Sequence, residues 1–211
     1  MEFKFIELCK QGNLNEIKFM LNSPNHYQHS YNKKVIISPQ TTRYLDIHAK
    51  DESGFVFACS NGHLNIVEYL INLYKTQPIY GIINIHVNDD LPFRVACRKN
   101  HMNIIKYLIN LYEENTYYGM IDIHIYNEDC FVTACGNNHR HTIKYLLNLH
   151  KKHIGYGMID ITANNGEGWR SITCYTRIVK FLLTLGTYKR MLEYDKYYYV
   201  KNVILYHLVQ L

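Results

Sequence analysis

The chain has 211 residues, of which 47% are hydrophobic, and a formal net charge of +5. This length and apolar content suffice for one sizeable core. Glu2 and Glu7 occupy the start, where a secretory leader would be basic and then apolar, and no segment approaches the roughly 20 apolar residues that span a bilayer. We therefore expect an intracellular protein that does not enter a membrane. Residues 46–183 contain 13 basic and 13 acidic residues, which argues against an extended nucleic-acid interface there.

The first predicted element is a helical hairpin at residues 1–21. Residues 5–21 align with residues 55–71 at an offset of 50, and Gly12 falls on Gly62. No extended segment precedes this hairpin, as expected of a terminal repeat with a neighbour on one side only. We predict an N-terminal capping repeat.

An insertion is predicted at residues 22–45. This stretch contains Pro24 and Pro39 among many Asn, Ser and Thr residues, and it has no counterpart elsewhere in the chain. Such a composition is typical of an irregular loop.

Four related tripeptides then recur at a constant spacing of 38 residues. They are Asp46-Ile47-His48, Asn84-Ile85-His86, Asp122-Ile123-His124 and Asp160-Ile161-Thr162. A fixed period in this range indicates units that must stack to bury an apolar face. The repeats are assigned to residues 46–83, 84–121, 122–159 and 160–185.

Each repeat is predicted to form a helical hairpin behind an extended finger. A short first helix ends at a Gly or Asn suited to the left-handed conformation, and a second helix follows with apolar residues at i, i+3, i+4 and i+7. The predicted pairs are 55–60 with 64–75, 93–98 with 102–113, and 131–136 with 141–151. The fourth copy has a shortened turn, and the apolar residues in 186–211 predict a C-terminal helical cap.

Cysteines recur at one repeat position, at Cys9, Cys59, Cys97 and Cys135. We interpret them as small buried residues, because equivalent atoms in stacked repeats lie too far apart for a disulfide. The recurring histidines are assigned turn and capping roles, at His48, His86 and His124 and again at His63, His101 and His139. One His per repeat cannot surround a zinc ion, so no metal or other cofactor is expected. No catalytic motif is present, and the chain is not expected to be an enzyme.

The segment from Gly62 to Ile71, together with Ala58-Cys59 and the His-bearing turns, resembles the ankyrin repeat family. Within that family the long period is similar to the ankyrin proteins of giant DNA viruses of amoebae. The resemblance implies an all-α helix-turn-helix repeat solenoid that binds a partner protein. It also implies a monomer acting on a host protein in the host cytoplasm. The usual Thr-Pro-Leu-His motif is absent, and Ser53-Gly54-Phe55-Val56 stands in its place in the first full repeat.

The resemblance also implies where the partner binds, namely on the concave face built from the finger tips and first helices. The candidate contact residues are Lys50, Glu52, Ser60, Asp90, Arg94, Arg98, Lys99, Tyr126, Glu128 and Asn137.

Other functions compete with this one. Nucleic-acid binding would use the recurring aromatic residues Tyr69, Tyr107, Tyr145 and Phe181, although their helical position favours packing. A scaffold role is a further alternative. An adaptor role in a host ubiquitin ligase would use the apolar tail at 203–209, which lacks the Leu-Pro start of an F-box-like segment.

Overall fold

A computed structural model describes residues 1–22, 44–152, 154–160 and 163. The described chain is helical and contains no strand. Its helices are α1 Glu2–Gln11, α2 Leu14–Asn22, α3 Ala49–Ser60, α4 Leu64–Thr76, α5 Val87–Lys99, α6 Met102–Glu114, α7 Ile125–Gly136 and α8 Arg140–Lys152. In the three full repeats that the structure describes, a short 3-10 helix follows the second helix, at Pro78–Tyr80, Thr116–Tyr118 and Ile154–Tyr156. The chain divides into two compact units at the boundary between Ile121 and Asp122.

The predicted hairpins are confirmed, and α1 and α2 form a further hairpin where the N-terminal capping repeat is predicted. In the first unit, α3 packs between α1 and α5, and α4 contacts α6. In the second unit, α7 packs on α8. The first helix of each full repeat begins earlier than predicted because one turn of left-handed backbone precedes its regular part.

Inward-facing residues follow the helical period. In α3, Phe55, Ala58 and Cys59 are fully buried, and α4 contributes Ile66, Val67, Leu70, Ile71 and Leu73. Phe5 and Phe93 occupy the positions equivalent to Phe55 and are also fully buried. One aromatic ring per repeat therefore fills the space between the first helices of this unit.

The turns inside the first two hairpins, at Gly12 and Gly62, bring the chain close to a histidine ring. Gly62 has a φ of +81°, and a Cβ atom placed there would lie 2.7 Å from the His101 ring. The His101 Nε2–H donates a hydrogen bond at 3.0 Å to the carbonyl of Ser60, which is the last residue of α3. His63 binds the Lys10 carbonyl in the last turn of α1 in the same way. These histidines satisfy the free carbonyls at the end of the preceding first helix.

The aligned cysteines are buried free thiols, as predicted. Burial raises the pKa of Cys9 to about 12 and raises the pKa values of Cys59 and Cys135 further. Cys130, outside the predicted set, is buried as well. Thiols of this kind react only when the structure opens.

We expect Cys97→Leu to lower the free energy of unfolding by about 1–3 kcal/mol, because Cys97 is fully buried and a larger side chain overpacks the site. Denaturant titration of the two proteins measures this. Cys97→Ala, which keeps the site small, is the matched control, and equal stability of the leucine variant and the parent would show that the site can expand.

Two sequence assignments lie largely outside the described residues. They are the insertion at 22–45, apart from its edges, and the segment from the fourth repeat to the cap at 186–211. Among the described helices, none is both long and apolar enough to cross a membrane.

Candidate functional site

The segments 46–52, 84–90 and 122–128 are called fingers here. The first side chain of each finger accepts a hydrogen bond from the backbone two residues later. Asp46 Oδ1 accepts a hydrogen bond from the His48 backbone N–H at 2.9 Å, and Asn84 and Asp122 do the same in their fingers. This Asx-type turn explains why each tripeptide starts with Asp or Asn.

Three left-handed residues follow in every finger. Lys50, Asp51 and Glu52 have φ values of 55°, 53° and 57°, although none is glycine. Left-handed backbone costs such residues roughly 1–2 kcal/mol each. Contacts from elsewhere in the fold must therefore hold the turn in place.

The Glu52 carboxylate provides those contacts. Its Oε1 lies 2.7 Å from His48 Nδ1 and accepts a hydrogen bond from the Asn84 backbone N–H at 2.9 Å. His48 Nε2 lies 2.6 Å from the carbonyl oxygen of Tyr80. One carboxylate and one imidazole thus join the finger of one repeat to the start of the next.

The other fingers repeat the arrangement. His86 binds Asp90 and the Tyr118 carbonyl, each at 2.5 Å. In the second unit, His124 binds Glu128 at 2.7 Å, and Glu128 accepts from the Asp160 N–H at 2.9 Å.

These contacts favour a protonated ring. A carbonyl can only accept, so His48 Nε2 donates to Tyr80, and Nδ1 must also carry a proton to donate to the carboxylate. For His86 the hydrogen bond to Asp90 raises the pKa and outweighs partial burial. Partial burial opposes the charge on His48, but the Glu52 carboxylate and the Tyr80 carbonyl outweigh it and raise its pKa.

Three of the expected contact residues are consequently unavailable to a partner. Glu52, Asp90 and Glu128 are 5%, 4% and 4% exposed. The expectation that they project from the finger tips is wrong, because the left-handed turn directs each carboxylate inward to a histidine. Burial also raises the pKa of Glu128, against the opposing effect of the Asp160 N–H and His124.

The remaining candidates of the first unit lie on the side of the first helices away from the core. Lys50, Arg98 and Lys99 are exposed, and Ser60 and Arg94 are partly exposed. The Arg94 guanidinium reaches the carbonyls of Asn88 and Asp89 at 3.4 Å. In the second unit, Tyr126 is 56% exposed and Asn137 is exposed.

Two aromatic residues on this side were missed from the sequence. Phe57 in α3 is 39% exposed and Phe3 in α1 is 72% exposed. The Lys50 ammonium lies over the Phe3 ring, 3.8 Å from its centroid. The position of Phe57 in the helical period could have revealed its exposure, because Phe55, Ala58 and Cys59 already occupy the inward-facing positions of the helix. We define the first-helix face by the following residues: Phe3, Lys50, Phe57, Ser60, Arg94, Arg98 and Lys99.

Within the described part of the chain, no three His, Cys, Asp or Glu residues are grouped so that they could hold a metal ion.

The family model for "Ankyrin repeats (3 copies)" matches residues 5–118, more than half of the chain. The chain belongs to the ankyrin repeat family. Ankyrin repeats are generally protein–protein interaction modules, typically without enzymatic activity. No curated protein sequence and no solved structure matches the chain significantly.

Proposed function

We propose that this ankyrin repeat chain recognises a partner protein through the first-helix face of residues 1–121. The observation that carries the proposal is the exposure of Phe57 and Phe3 on first helices whose opposite side is fully buried, with the Lys50 ammonium over the Phe3 ring. The first helix α5 exposes Arg98 and Lys99 as well. Aromatic and Arg residues are the types that concentrate binding energy at protein interfaces.

The charge on this face indicates the chemistry of the partner. Arg98 and Lys99 form the end of α5, and Lys50 lies on the neighbouring finger. A partner surface with apolar side chains flanked by carboxylates would complement these residues. Tyr126 and Asn137 provide equivalent exposed positions in the second unit.

The alternatives have weaker support. Tyr69 and Tyr107, which nucleic-acid stacking would require, are only partly exposed and belong to helices that also expose Glu68 and Glu114. The adaptor role depends on residues 203–209, which lie outside the described residues. A viral origin and a host target in the cytoplasm stay predictions from the sequence resemblance.

The test begins by capturing partners on the parent protein from cells and measuring the affinity of the purified pair. We expect Phe57→Asp combined with Arg98→Glu to weaken that affinity about tenfold or more, since an interface anchor contributes about 2 kcal/mol. Thermal unfolding should be nearly unchanged, because both side chains are partly or fully exposed.

Lys106→Glu is the matched control, since it reverses one exposed charge on a second helix instead. Equal affinity for the double variant and the parent would contradict the assignment of this face.

A further inference from the structure

A groove between α4 and α6 lies outside the first-helix face. It encloses about 560 Å³, within the range of roughly 300–1,000 Å³ typical of ligand pockets. Its lining residues come from the two second helices and the segment that follows α6. They include Glu68, Lys75, Tyr74, Tyr107, Glu114 and Tyr118.

The repeat supplies an internal comparison for this groove. At the offset of 50, Lys18 in α2 is equivalent to Glu68 in α4, and at the offset of 38, Tyr69 is equivalent to Tyr107. The Lys18 ammonium lies over the Tyr69 ring, 5.4 Å from its centroid. At the α2–α4 junction, the tyrosine at this repeat position therefore accepts an ammonium group from the preceding second helix.

The surrounding hydrogen bonds match as well. The Tyr80 hydroxyl donates to the Leu21 carbonyl at 2.8 Å, and the Tyr118 hydroxyl donates to the equivalent Ile71 carbonyl at 3.3 Å. The two junctions share one architecture. They differ in that Glu68 stands at the position of Lys18, so the α4–α6 groove lacks the internal cation that Lys18 places over a tyrosine ring.

The charges at Tyr107 are negative instead. Burial raises the pKa of Tyr107 to about 12, and the carboxylates of Glu68 and Glu114 act in the same direction, which places both within electrostatic reach of its hydroxyl. Among the described residues, no ion pair engages either carboxylate. The groove's own cation, Lys75, donates to Asn72 Oδ1 at 2.7 Å. Two carboxylates and a tyrosine ring thus face a space with one tethered ammonium.

We propose that this groove binds a basic side chain, lysine or arginine, of a partner polypeptide. The ammonium or guanidinium takes the position over Tyr107 that Lys18 takes over Tyr69, and Glu68 and Glu114 balance its charge. This site is independent of the first-helix face and does not require the function proposed above.

The probe is the acetylated and amidated pentapeptide Gly-Ser-Lys-Ser-Gly, with forms containing arginine or norleucine in place of lysine. Binding to the full chain is followed by NMR of 13C-labelled tyrosine rings at low salt. We expect the Tyr107 ring signals to shift saturably with the lysine and arginine peptides and not with the uncharged norleucine peptide.

Two variants exchange the residue that distinguishes the α2–α4 junction, Lys18, and the residue that distinguishes the α4–α6 junction, Glu68. Glu68→Lys restores the internal cation, so the affinity of the lysine peptide should fall about three- to tenfold, as expected for losing an exposed ion pair and adding a like charge. Lys18→Glu removes the cation from the other junction, and a second set of shifts should appear at Tyr69. Each variant reproduces an arrangement that the fold already contains, so both should fold.

Glu113→Lys is the control, because it makes the same charge change on α6 at a residue that does not line the groove. Three results would overturn the proposal: no shift at Tyr107, equal shifts with the norleucine peptide, or equal weakening by Glu68→Lys and Glu113→Lys. Equal weakening by the two variants would show that the peptide responds to the overall charge of the protein and does not bind at a specific site.

Discussion

Phe55→Ala is expected to lower the free energy of unfolding by about 3–5 kcal/mol, the usual cost of emptying a buried aromatic site. The Phe55 ring is fully buried, with equivalent rings in the neighbouring first helices. Removing it leaves a cavity in the middle of the first unit, where α3 contacts both α1 and α5. Urea titration followed by circular dichroism measures the change.

Phe57→Ala is the matched control, since the same substitution is made two residues later on the same helix. The ring of Phe57 is 39% exposed, so we expect a loss of at most about 1 kcal/mol. Losses of similar size at the two positions would contradict the assignment of the buried and exposed sides of α3.

Glu52→Ala is expected to cost about 2–3 kcal/mol, because it removes the acceptor of both His48 and the Asn84 N–H. This loss of stability is smaller than for a fully buried charge pair, because the His48 side chain is 37% exposed. Asp51→Ala is the control in the same left-handed turn. Asp51 is exposed, so its replacement should change stability by about 0.5 kcal/mol or less.

The same pair predicts a pH dependence. The pKa of His48 is higher in the folded state than in the unfolded state, where it is about 6.5. The protonated His48 therefore stabilises the fold fully at pH values below about 6.5, and this stabilisation is lost as the pH rises through the pKa of the folded state. His86 follows the same rule. Stability measured at a series of pH values should therefore fall above about pH 6.5, and less steeply in Glu52→Ala. A parent whose stability is constant over this window would contradict the protonated pair.

The hairpins could be predicted because helical periodicity and a strict 38-residue spacing agree about their positions. The apolar stripe of α4 and the turn at Gly62 are local features that need no tertiary information. The same reasoning placed the cysteines inside, since small residues at one repeat position indicate close helix packing.

The finger could not be predicted in the same way. Local preference argues against three left-handed residues at Lys50, Asp51 and Glu52, and the turn is held by Tyr80 and Asn84, about thirty residues away in the chain. An acid recurs four residues after each finger histidine, and that spacing was the available signal. Glu52 was assigned to the binding surface because its repeat position matches a contact position of the family it resembles, and that position does not reveal which way the carboxylate turns.

The candidate binding residues were predictable in part. Arg98 and Lys99 are exposed as their charge suggests. Phe57 was not identified, because an aromatic residue in an apolar segment is usually part of the core. The groove between α4 and α6 was missed because its signal is a single charge difference between exposed positions, Lys18 in one repeat and Glu68 in the next, which an alignment alone does not mark as a site.

Hydrogen–deuterium exchange of the chain with and without its captured partner tests the central claim most directly, since it locates the contact surface without a substitution. The account predicts slower exchange in peptides covering residues 2–11, 50–60 and 88–99, which contain the residues of the first-helix face. Slower exchange confined to residues 64–76 and 102–114, the second helices, would contradict recognition through that face.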